Sequence, residues 1–488
     1  MKKYLILFII ILSACNEPQD NLRFGLSKAP ISLDPRFVTD ATSTRINRLL
    51  YRQLVDFDEN LRPTPDLATW QQLTATHYRF KLDTEGRDFH NGMRLTAHDI
   101  KATYDFILDI DNASPHRGSL TLIKQILIQD EDTIDFILNK ADILFPGRLT
   151  VGILPAILIN KQHAFNKLPV GTGKLKLVNW PQTGRLLLVR QSDGQLIEFL
   201  EVKDPVVRAL KLVRGELDII QNDLSPELLT WLEQRPEIKI AKSQGSNFSY
   251  FAFNMEDPIT KQFAVREAIA YAINREEIIR YLLGDAARPA SSFLLSATHW
   301  AGRPGLPSYP YNPDKAKALL KQINAEKPLK ISYKTSNNPT RIRIATVIKQ
   351  QLATVGIDMD LRTYDWGTFY GDVKAGRFQT YSLAWVGIKM PDIFRYVFHS
   401  SSIPAKGGAN RGLLNSPKID RLIEQAEQAV SLDKGAILYR ALQKELFAEL
   451  PYIPLWYEDH ILATSQRVSG YKLAADGNYD SLISAQIN

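Results

Sequence analysis

The chain has 488 residues, of which 44% are hydrophobic and 23% are charged, so it can bury a substantial core and does not have the composition of a disordered chain. Its single cysteine excludes a disulfide framework and a zinc ribbon, because both need several thiols. The formal charge is +7, but since no run of Lys or Arg is longer than two, we expect an evenly mixed basic surface and no nucleic-acid partner.

The first fifteen residues have the pattern of a bacterial secretion signal. Two lysines precede an apolar run over residues 4–12 that is too short to span a bilayer. The string Leu12-Ser13-Ala14-Cys15 resembles the lipobox, in which the thiol is acylated and the chain is cut just before it. We therefore predict a signal peptide over 1–14, a membrane anchor through lipid on Cys15 and a tether over 15–21, with an ordinary signal peptide as the alternative.

In the first half of the chain, short stretches alternate apolar and polar residues, as half-buried strands do. These stretches are 78–82, 133–138 and 185–190. A buried strand is predicted over 250–254, directly before a more helical second half. We place a crossing between two domains at that strand.

Helical periodicity dominates the second half. Apolar residues over 265–283 follow one helical face, and Gly284 is placed to end that helix. Further helices are predicted over 417–430 and from 434 to about 450. The Pro- and Gly-rich stretch 288–313 predicts an irregular surface segment. Strands and helices together predict a mixed α/β protein.

The sequence lacks the common catalytic and metal-binding motifs. Gly171-Thr172-Gly173-Lys174 has neither the upstream glycine nor the following Ser or Thr of a P-loop. Neither H-E-x-x-H nor G-x-S-x-G occurs. We therefore expect no cofactor, no metal and no catalytic residues, and an enzyme is the least favoured class.

Several segments, in order and spacing, resemble a known family. The first are Leu33-Asp34-Pro35, Pro65-Asp66-Leu67-Ala68-Thr69-Trp70 and the segment 89–100. They resemble the opening of the family 5 extracellular solute-binding proteins, the oligopeptide-, dipeptide- and nickel-binding receptors of ABC importers. Further matches extend the resemblance over nearly the whole mature chain, at 169–173, 253–254, 265–275, 311–316 and 451–456.

This resemblance implies an α/β fold of two lobes around a ligand cleft, the type II periplasmic-binding-protein fold in its large peptide-binding subclass. It places lobe I over 22–248 with an inserted subdomain over about 45–165, lobe II over 249–464, and a return segment to lobe I over 465–488. Hinge closure of such lobes buries a ligand at their interface. The implied protein is a monomer in the periplasm or at the cell surface that captures a peptide or peptide-like solute and delivers it to an ABC permease.

The resemblance also implies which residues contact the ligand. In peptide-binding members an extended ligand is held through its main chain, as a strand added between the lobes. Two cleft tryptophans correspond to Trp366 and Trp385, and Ala384 and Val386 offer backbone groups on either side of the second. The remaining implied positions are Thr39, Asp40, Ala41, His116 and Tyr250.

One position departs from the family pattern. Peptide receptors place an aspartate three residues after the second cleft tryptophan, where it pairs with the ligand's α-ammonium, and this chain has Ile388 there. A buried ammonium without a counter-charge is costly, so Asp392 or Asp40 would have to replace that aspartate, or the ligand is N-blocked, longer or not a peptide. A ligand sensor or partner-binding scaffold that no longer serves transport stays open as the alternative.

Overall fold

The structure is a computed structural model that describes residues 21–181, 184–306, 308–324 and 328–488. The predicted signal peptide, Cys15 and most of the predicted tether lie outside these ranges. Within them, no helix combines the length and the apolar character needed to span a bilayer.

Strands and helices alternate along the chain, which confirms the mixed α/β prediction. The strands are β1 (Leu22–Leu26), β2 (Val55–Phe57), β3 (Pro63–Pro65), β4 (Ala68–Thr74), β5 (His77–Leu82), β6 (Ile123–Ile128), β7 (Thr133–Leu138), β8 (Leu175–Asn179), β9 (Arg185–Arg190), β10 (Leu196–Glu201), β11 (Ile219–Gln221), β12 (Ile238–Phe253), β13 (Ala287–Pro289), β14 (Leu329–Ser336), β15 (Ile357–Tyr364), β16 (Thr380–Trp385), β17 (Tyr452–Ser465), β18 (Val468–Ser469) and β19 (Gln486–Ile487). The helices are α1 (Ala41–Leu50), α2 (Ala97–Leu108), α3 (Arg117–Leu120), α4 (Ala156–Asn160), α5 (Pro205–Val213), α6 (Pro226–Glu233), α7 (Phe263–Ala272), α8 (Arg275–Leu282), α9 (Pro313–Gln322), α10 (Pro339–Ala353), α11 (Trp366–Lys374), α12 (Ile393–Phe398), α13 (Pro417–Glu427) and α14 (Leu432–Glu449).

One sheet connects the two halves of the molecule. Among the described residues it has eleven strands in the order β15-β14-β16-β12-β17-β11-β1-β10-β9-β8, with β13 paired to β17. The long strands β12 and β17 pair antiparallel from Ile238 opposite Ser465 to Ala252 opposite Tyr452. We use lobe I for the part of the molecule on the β8 side of this pair and lobe II for the part on the β15 side, and the long strands β12 and β17 connect the two.

Each lobe has its own apolar core. In lobe I, Phe24 packs against Phe199 and Tyr479 with ring centroids 5.5 and 4.7 Å apart, and Tyr479 comes from the C-terminal segment. A second sheet, in the order β4-β5-β7-β6, packs on α2 and forms a separate cluster around Phe80 and Phe136. In lobe II, α7, α9 and α10 cover the buried residues of β14 and β15. The chain therefore folds around several cores, and the cavities described below lie where they meet.

Several helices begin with the same local signal. A side chain with an oxygen acceptor caps the first turn, and a proline follows at the first helical position, where its missing N–H costs nothing. The pairs are Asp204-Pro205, Ser225-Pro226, Asn312-Pro313 and Asn338-Pro339. Ser416-Pro417 has the same pattern, but the Ser416 hydroxyl donates to the Glu449 carboxylate at 2.5 Å and does not cap α13.

Other predictions are confirmed or corrected by the structure. The strands predicted over 78–82, 133–138 and 185–190 are present as β5, β7 and β9. The single helix predicted over 265–283 is wrong, because Ile273 has an extended backbone (ψ 113°) and Asn274 starts a new helix by accepting a hydrogen bond from the Glu277 N–H.

The described residues of the stretch 288–313 are mostly irregular, as predicted, but the stretch lies on the surface only in part: 304, 305 and 310–312 are exposed, whereas 292–296 and 299–302 are buried. Phe293, Leu294 and Leu295 are at most 1% exposed and belong to the core of lobe II. Polar side chains satisfy the backbone of the buried part: the Gln443 side-chain NH₂ donates to the Ala301 carbonyl at 2.8 Å. The buried part is therefore held in the core by hydrogen bonds in place of regular secondary structure.

Candidate ligand-binding cleft

The β12–β17 pair contains an irregularity between the lobes. The register shifts between Ser243 and Asn247 of β12, where three residues oppose only Asp459 of β17. Arg288 fastens this bulge: it forms an ion pair with Asp459 and donates to the Gly245 carbonyl at 2.7 Å. A second register shift follows between Ser249 and Tyr250, so the ladder is weakened over this part of the strand pair and bending is favoured there.

A cleft of about 520 Å³, the hinge cavity, opens beside this bulge. Both lobes contribute to it: Asp40 and Ala41 from the start of α1, Val386 from the end of β16, and residues 458–461 from β17. The Asp40 carboxylate caps α1 by accepting from the Ser43 N–H at 2.9 Å. Thr39, next to it, is exposed. Three of the residues implied by the resemblance therefore line one cavity between the lobes.

The strand β16 ends directly before Val386, which lines the hinge cavity. Ala384 pairs with Ser249 and Trp385 with Phe248, which anchors one edge of β16 to β12. On the other edge, β14 pairs only as far as Tyr381. Among the described residues, the outer edge of β16 therefore has no strand partner after Tyr381.

Trp385 lies in a cluster of aromatic and cationic groups. Its ring stacks on the buried Tyr250 with centroids 6.3 Å apart, and it meets Tyr396 edge-on at 6.1 Å. The Arg411 guanidinium carbon lies 5.0 Å from the centroid of the Trp385 ring. Among the described residues, the indole N–H of Trp385 is buried with no acceptor.

Trp366 stands at the start of α11 and is 57% exposed. It stacks on Tyr370 with ring centroids 5.3 Å apart and an interplanar angle of 7°. The Tyr370 hydroxyl accepts a hydrogen bond from Arg411 at 3.0 Å. The two predicted cleft tryptophans are thus connected through Tyr370 and Arg411, neither of which the sequence analysis identified.

Two larger cavities meet beside this cluster. The lobe II cavity, of about 600 Å³, is lined only by residues of lobe II. The interlobe cavity, of about 630 Å³, has Pro115, Gly118, Ser119 and Arg148 on the lobe I side and residues 392–427 on the other. The rims of the two cavities share Tyr396, Gly407 and Gly408. A solute in the interlobe cavity can therefore extend into the lobe II cavity.

Asp392 faces lobe I across the interlobe cavity, but it is already paired. The Arg148 guanidinium lies 2.8 Å from the Asp392 carboxylate and 2.8 Å from that of Asp142. Burial raises the pKa of Asp392, and Arg148 opposes that rise. Asp40 lines the hinge cavity and Asp392 the interlobe cavity, so the structure does not bring these two carboxylates into one site.

His116 lies in a smaller cavity of about 190 Å³ that also includes Tyr51, Gln53 and Lys389. Burial lowers the pKa of His116, so the imidazole is neutral at pH 7. Lys389 is paired with Asp476 at 2.8 Å. His116 is therefore separated from Trp385, and the predicted residues are spread along an extended cleft.

The structure gives Ile388 a packing role. It is 6% exposed and belongs to the apolar cluster that contains Trp300 and Met390. An aspartate in that cluster would be a buried charge. In the described part of the chain, no group of three or more His, Cys, Asp or Glu side chains is arranged to hold a metal ion.

Two α/β lobes joined by a shared strand pair, with cavities at their junction, define the class of two-lobed solute-binding proteins. The chain belongs to the bacterial extracellular solute-binding proteins, family 5: the model described as "Bacterial extracellular solute-binding proteins, family 5 Middle" matches residues 62–404. This confirms the family and the fold class predicted from the sequence.

Relatives with different named ligands are similar to this chain. Heme-binding protein A of Haemophilus influenzae is 25% identical over 95% of this chain and 91% of its own length. The dipeptide-binding protein of Escherichia coli is 24% identical over 91% of this chain and 90% of its own. The ABC transporter substrate-binding protein CtaP from Listeria monocytogenes has the same fold, with a TM-score of 0.85 at 23% identity, over 96% of this chain and 99% of its own. Similarity therefore does not select a solute.

Proposed function

We propose that this protein is the extracytoplasmic receptor of an ABC importer. It captures a peptide or peptide-like solute between its lobes by hinge closure and delivers it to the permease. Lipid on Cys15 anchors it to the membrane from the periplasm or the cell surface. In this proposal lobe I covers 22–248, lobe II covers 249–464, and 465–488 returns to lobe I.

The open edge of β16 is the observation that carries this proposal. Beyond Tyr381 the backbone of Ala384 and Trp385 is paired only with β12 among the described residues, and Val386, which follows the strand, is 61% exposed. An extended peptide can add to such an edge as a further strand, through hydrogen bonds that do not depend on its side chains. Trp385 would then cover the ligand from lobe II, while Asp40 and Ala41 approach from lobe I.

A sensor or partner-binding scaffold of the same fold is the second candidate. It is favoured by Ile388, since this position cannot hold a ligand ammonium and Asp392 is engaged by Arg148. The two candidates differ in what they need: an importer receptor requires a permease, whereas a sensor binds its ligand without uptake. Loss of solute uptake in a strain lacking this protein supports the receptor, and unchanged uptake supports the sensor.

Native mass spectrometry of the full chain, released from detergent without refolding, tests ligand capture. We expect a ladder of short-peptide masses on the protein, because a closed cleft retains its ligand, together with the added mass of acyl chains at Cys15. A single non-peptide mass would revise the solute class. A bare protein that also fails to bind added peptides would contradict the proposal.

A further inference from the structure

The lobe II cavity carries positive charge that the protein does not neutralise. Arg411 and Lys374 line it, and no Asp or Glu does. Among the described residues, neither Arg411 nor Lys374 forms an ion pair with a carboxylate. The cavity is therefore cationic, and its wall supplies no counter-charge.

Arg411 is buried, at 6% exposure, with few acceptors around it. Its guanidinium donates to the hydroxyls of Tyr250 at 3.4 Å and Tyr370 at 3.0 Å, and it also hydrogen-bonds to the Tyr381 hydroxyl. Burial raises the pKa values of Tyr250, Tyr381 and Tyr452, so these neighbouring phenols stay neutral. The full positive charge of Arg411 consequently persists in the cavity wall.

Comparison with another buried arginine shows how Arg411 differs from a guanidinium whose donors are taken up by the backbone. Arg266 also lacks a carboxylate partner in the described residues, but its guanidinium donates to four backbone carbonyls, those of Thr260, Lys261, Glu449 and Leu450, at 2.6 to 3.1 Å. A guanidinium has five N–H donors. Arg266 uses most of them within the protein, whereas Arg411 retains donors for an acceptor that the protein does not supply.

The aromatic neighbours fix the guanidinium in place. Its carbon lies 5.0 Å from the ring centroid of Trp385 and 5.2 Å from that of Tyr370. Stacking of this kind orients a planar guanidinium without using its donors. The indole N–H of Trp385, which lacks an acceptor among the described residues, adds a second free donor beside it. The cluster is thus preorganised for an oxyanion.

We propose that Arg411 binds the carboxylate of the solute in the lobe II cavity, with Lys374 at the rim adding longer-range attraction. This rests on the proposed function, because the solute must reach the cavity through the rim shared with the interlobe cavity. Recognition is then of an acidic end, which is consistent with Ile388 where an ammonium-binding aspartate is expected. For a peptide the acidic end is its C-terminal carboxylate.

Matched neutral and anionic probes test this inference. The probes are N-acetyl-Ala-Phe-Ala as the free acid, the same peptide as the C-terminal amide, and inorganic phosphate, titrated calorimetrically into the full chain in detergent. We expect the acid to bind about 100-fold more tightly than the amide, since a buried, hydrogen-bonded charge pair contributes that much. Phosphate distinguishes a general anion site from a carboxylate site, and we expect it to bind far more weakly than the acid.

The variants assign the effect to residues. Arg411→Gln should lose about 100-fold in affinity for the acid and leave the amide unchanged, whereas Arg411→Lys should retain part of the preference, because it keeps the charge without the planar fork. Lys374→Gln should lose about threefold. Lys349→Gln on α10, an exposed lysine that lines none of the cavities above, is the matched control and should bind like wild type.

Thermal unfolding of each variant shows whether it folds. If Arg411→Gln does not fold, the inference is tested by Arg411→Lys and Lys374→Gln, because both must reduce the preference for the free acid over the amide. Equal binding of acid and amide, phosphate binding as tight as that of the acid, or an acid preference that survives in the Arg411 variants overturns the inference. Absence of binding by all probes also overturns it. A solute seen by native mass spectrometry would still leave the proposed function standing, whereas a bare protein that also fails to bind added peptides would remove both.

Discussion

The lobe II cavity and the interlobe cavity share part of their rims, yet they differ in how they treat charge. In the interlobe cavity, Arg148 pairs with Asp142 and Asp392, and Arg395 pairs with Glu427 at 2.6 Å. In the lobe II cavity the charged residues of the wall, Arg411 and Lys374, are both cationic. The difference indicates that an arginine beside a cleft stabilises the fold when acidic side chains surround it. When its neighbours are neutral phenols, it is available to bind a ligand.

The largest expected effect comes from replacing Trp385, whose ring contacts Arg411 of the lobe II cavity. Trp385→Ala should weaken solute binding about 100-fold, because it removes the ring that covers the β16 edge and orients Arg411. Trp366→Ala should cost only a few-fold, since Trp366 is 57% exposed and its ring contacts are with Tyr370 and Phe369 of its own helix. Affinity for the solute recovered by native mass spectrometry measures both.

The unliganded Trp385→Ala and Trp366→Ala variants should melt within a few degrees of wild type, because Trp366 is largely exposed and Trp385 is only partly buried at the edge of the lobe II core. A loss of binding accompanied by a large fall in melting temperature would show that Trp385 acts through folding. Unchanged affinity in the double variant would remove both tryptophans from the site.

His299 contrasts with Arg411, because burial makes its imidazole neutral whereas the guanidinium of Arg411 stays charged. The ring of His299 is held between backbone groups: Nε2 donates to the Lys389 carbonyl at 3.0 Å, and Nδ1 accepts from the Ala301 N–H at 2.9 Å. Burial lowers the pKa of His299 to about 4. Because the unfolded imidazole binds a proton near pH 6.5, the native state is favoured above that pH, and this stability is lost as the pH falls toward 4.

Between pH 7 and pH 5 the His299 contribution should reduce the free energy of unfolding by about 2 kcal/mol. Urea unfolding of wild type and His299→Gln at both pH values measures it, and the variant should lose about 2 kcal/mol less. Other histidines with lowered pKa values, His90, His116 and His460, remain in both proteins and cancel in the difference. An identical pH response in the two proteins would show that His299 titrates normally.

The smallest expected effect concerns the ion pair between Arg148 and Asp392 in the interlobe cavity. A double-mutant cycle with Arg148→Gln and Asp392→Asn should give a coupling of about 1 kcal/mol in unfolding free energy, since Asp392 is one-third exposed and solvent screens the pair. Arg62→Gln with Asp433→Asn is the matched control, because that exposed pair at 3.0 Å should couple by less than about 0.5 kcal/mol. Equal couplings would mean that the Arg148 pair does not hold the lobes.

The sequence predicted regular elements better than it predicted their burial. Alternation identified β5, β7 and β9, because one face of each is buried. Helical periodicity ran through Ile273 and Asn274, since the two helices on either side bury the same face and only the Asn274 cap separates them. Composition suggested that the segment 288–313 was exposed, but hydrogen bonds from residues far along the chain, such as Gln443, allow part of it to enter the core.

The candidate site was less predictable from the sequence. The resemblance pointed to Trp366 and Trp385, but Arg411 is surrounded by residues 250, 370, 381 and 452, which only the fold brings together. One local signal did exist: residues 393–419 contain four Lys or Arg and no acidic residue, so any cation of that segment needs its partner from elsewhere. Burial decides which of them is functional, and a charge pattern does not report burial.

The β12–β17 ribbon limits how the lobes can move. Two hydrogen-bonded strands can bend or twist at the bulge near Gly245, but they cannot lengthen without breaking the ladder. The separation of the lobes along the ribbon is therefore constant, and the proposed closure would be a rotation about this part of the ribbon. Each closing event would then bring the same residues face to face, so that the length of an accepted solute would be set by the geometry of the hinge as much as by the chemistry of the cavity walls.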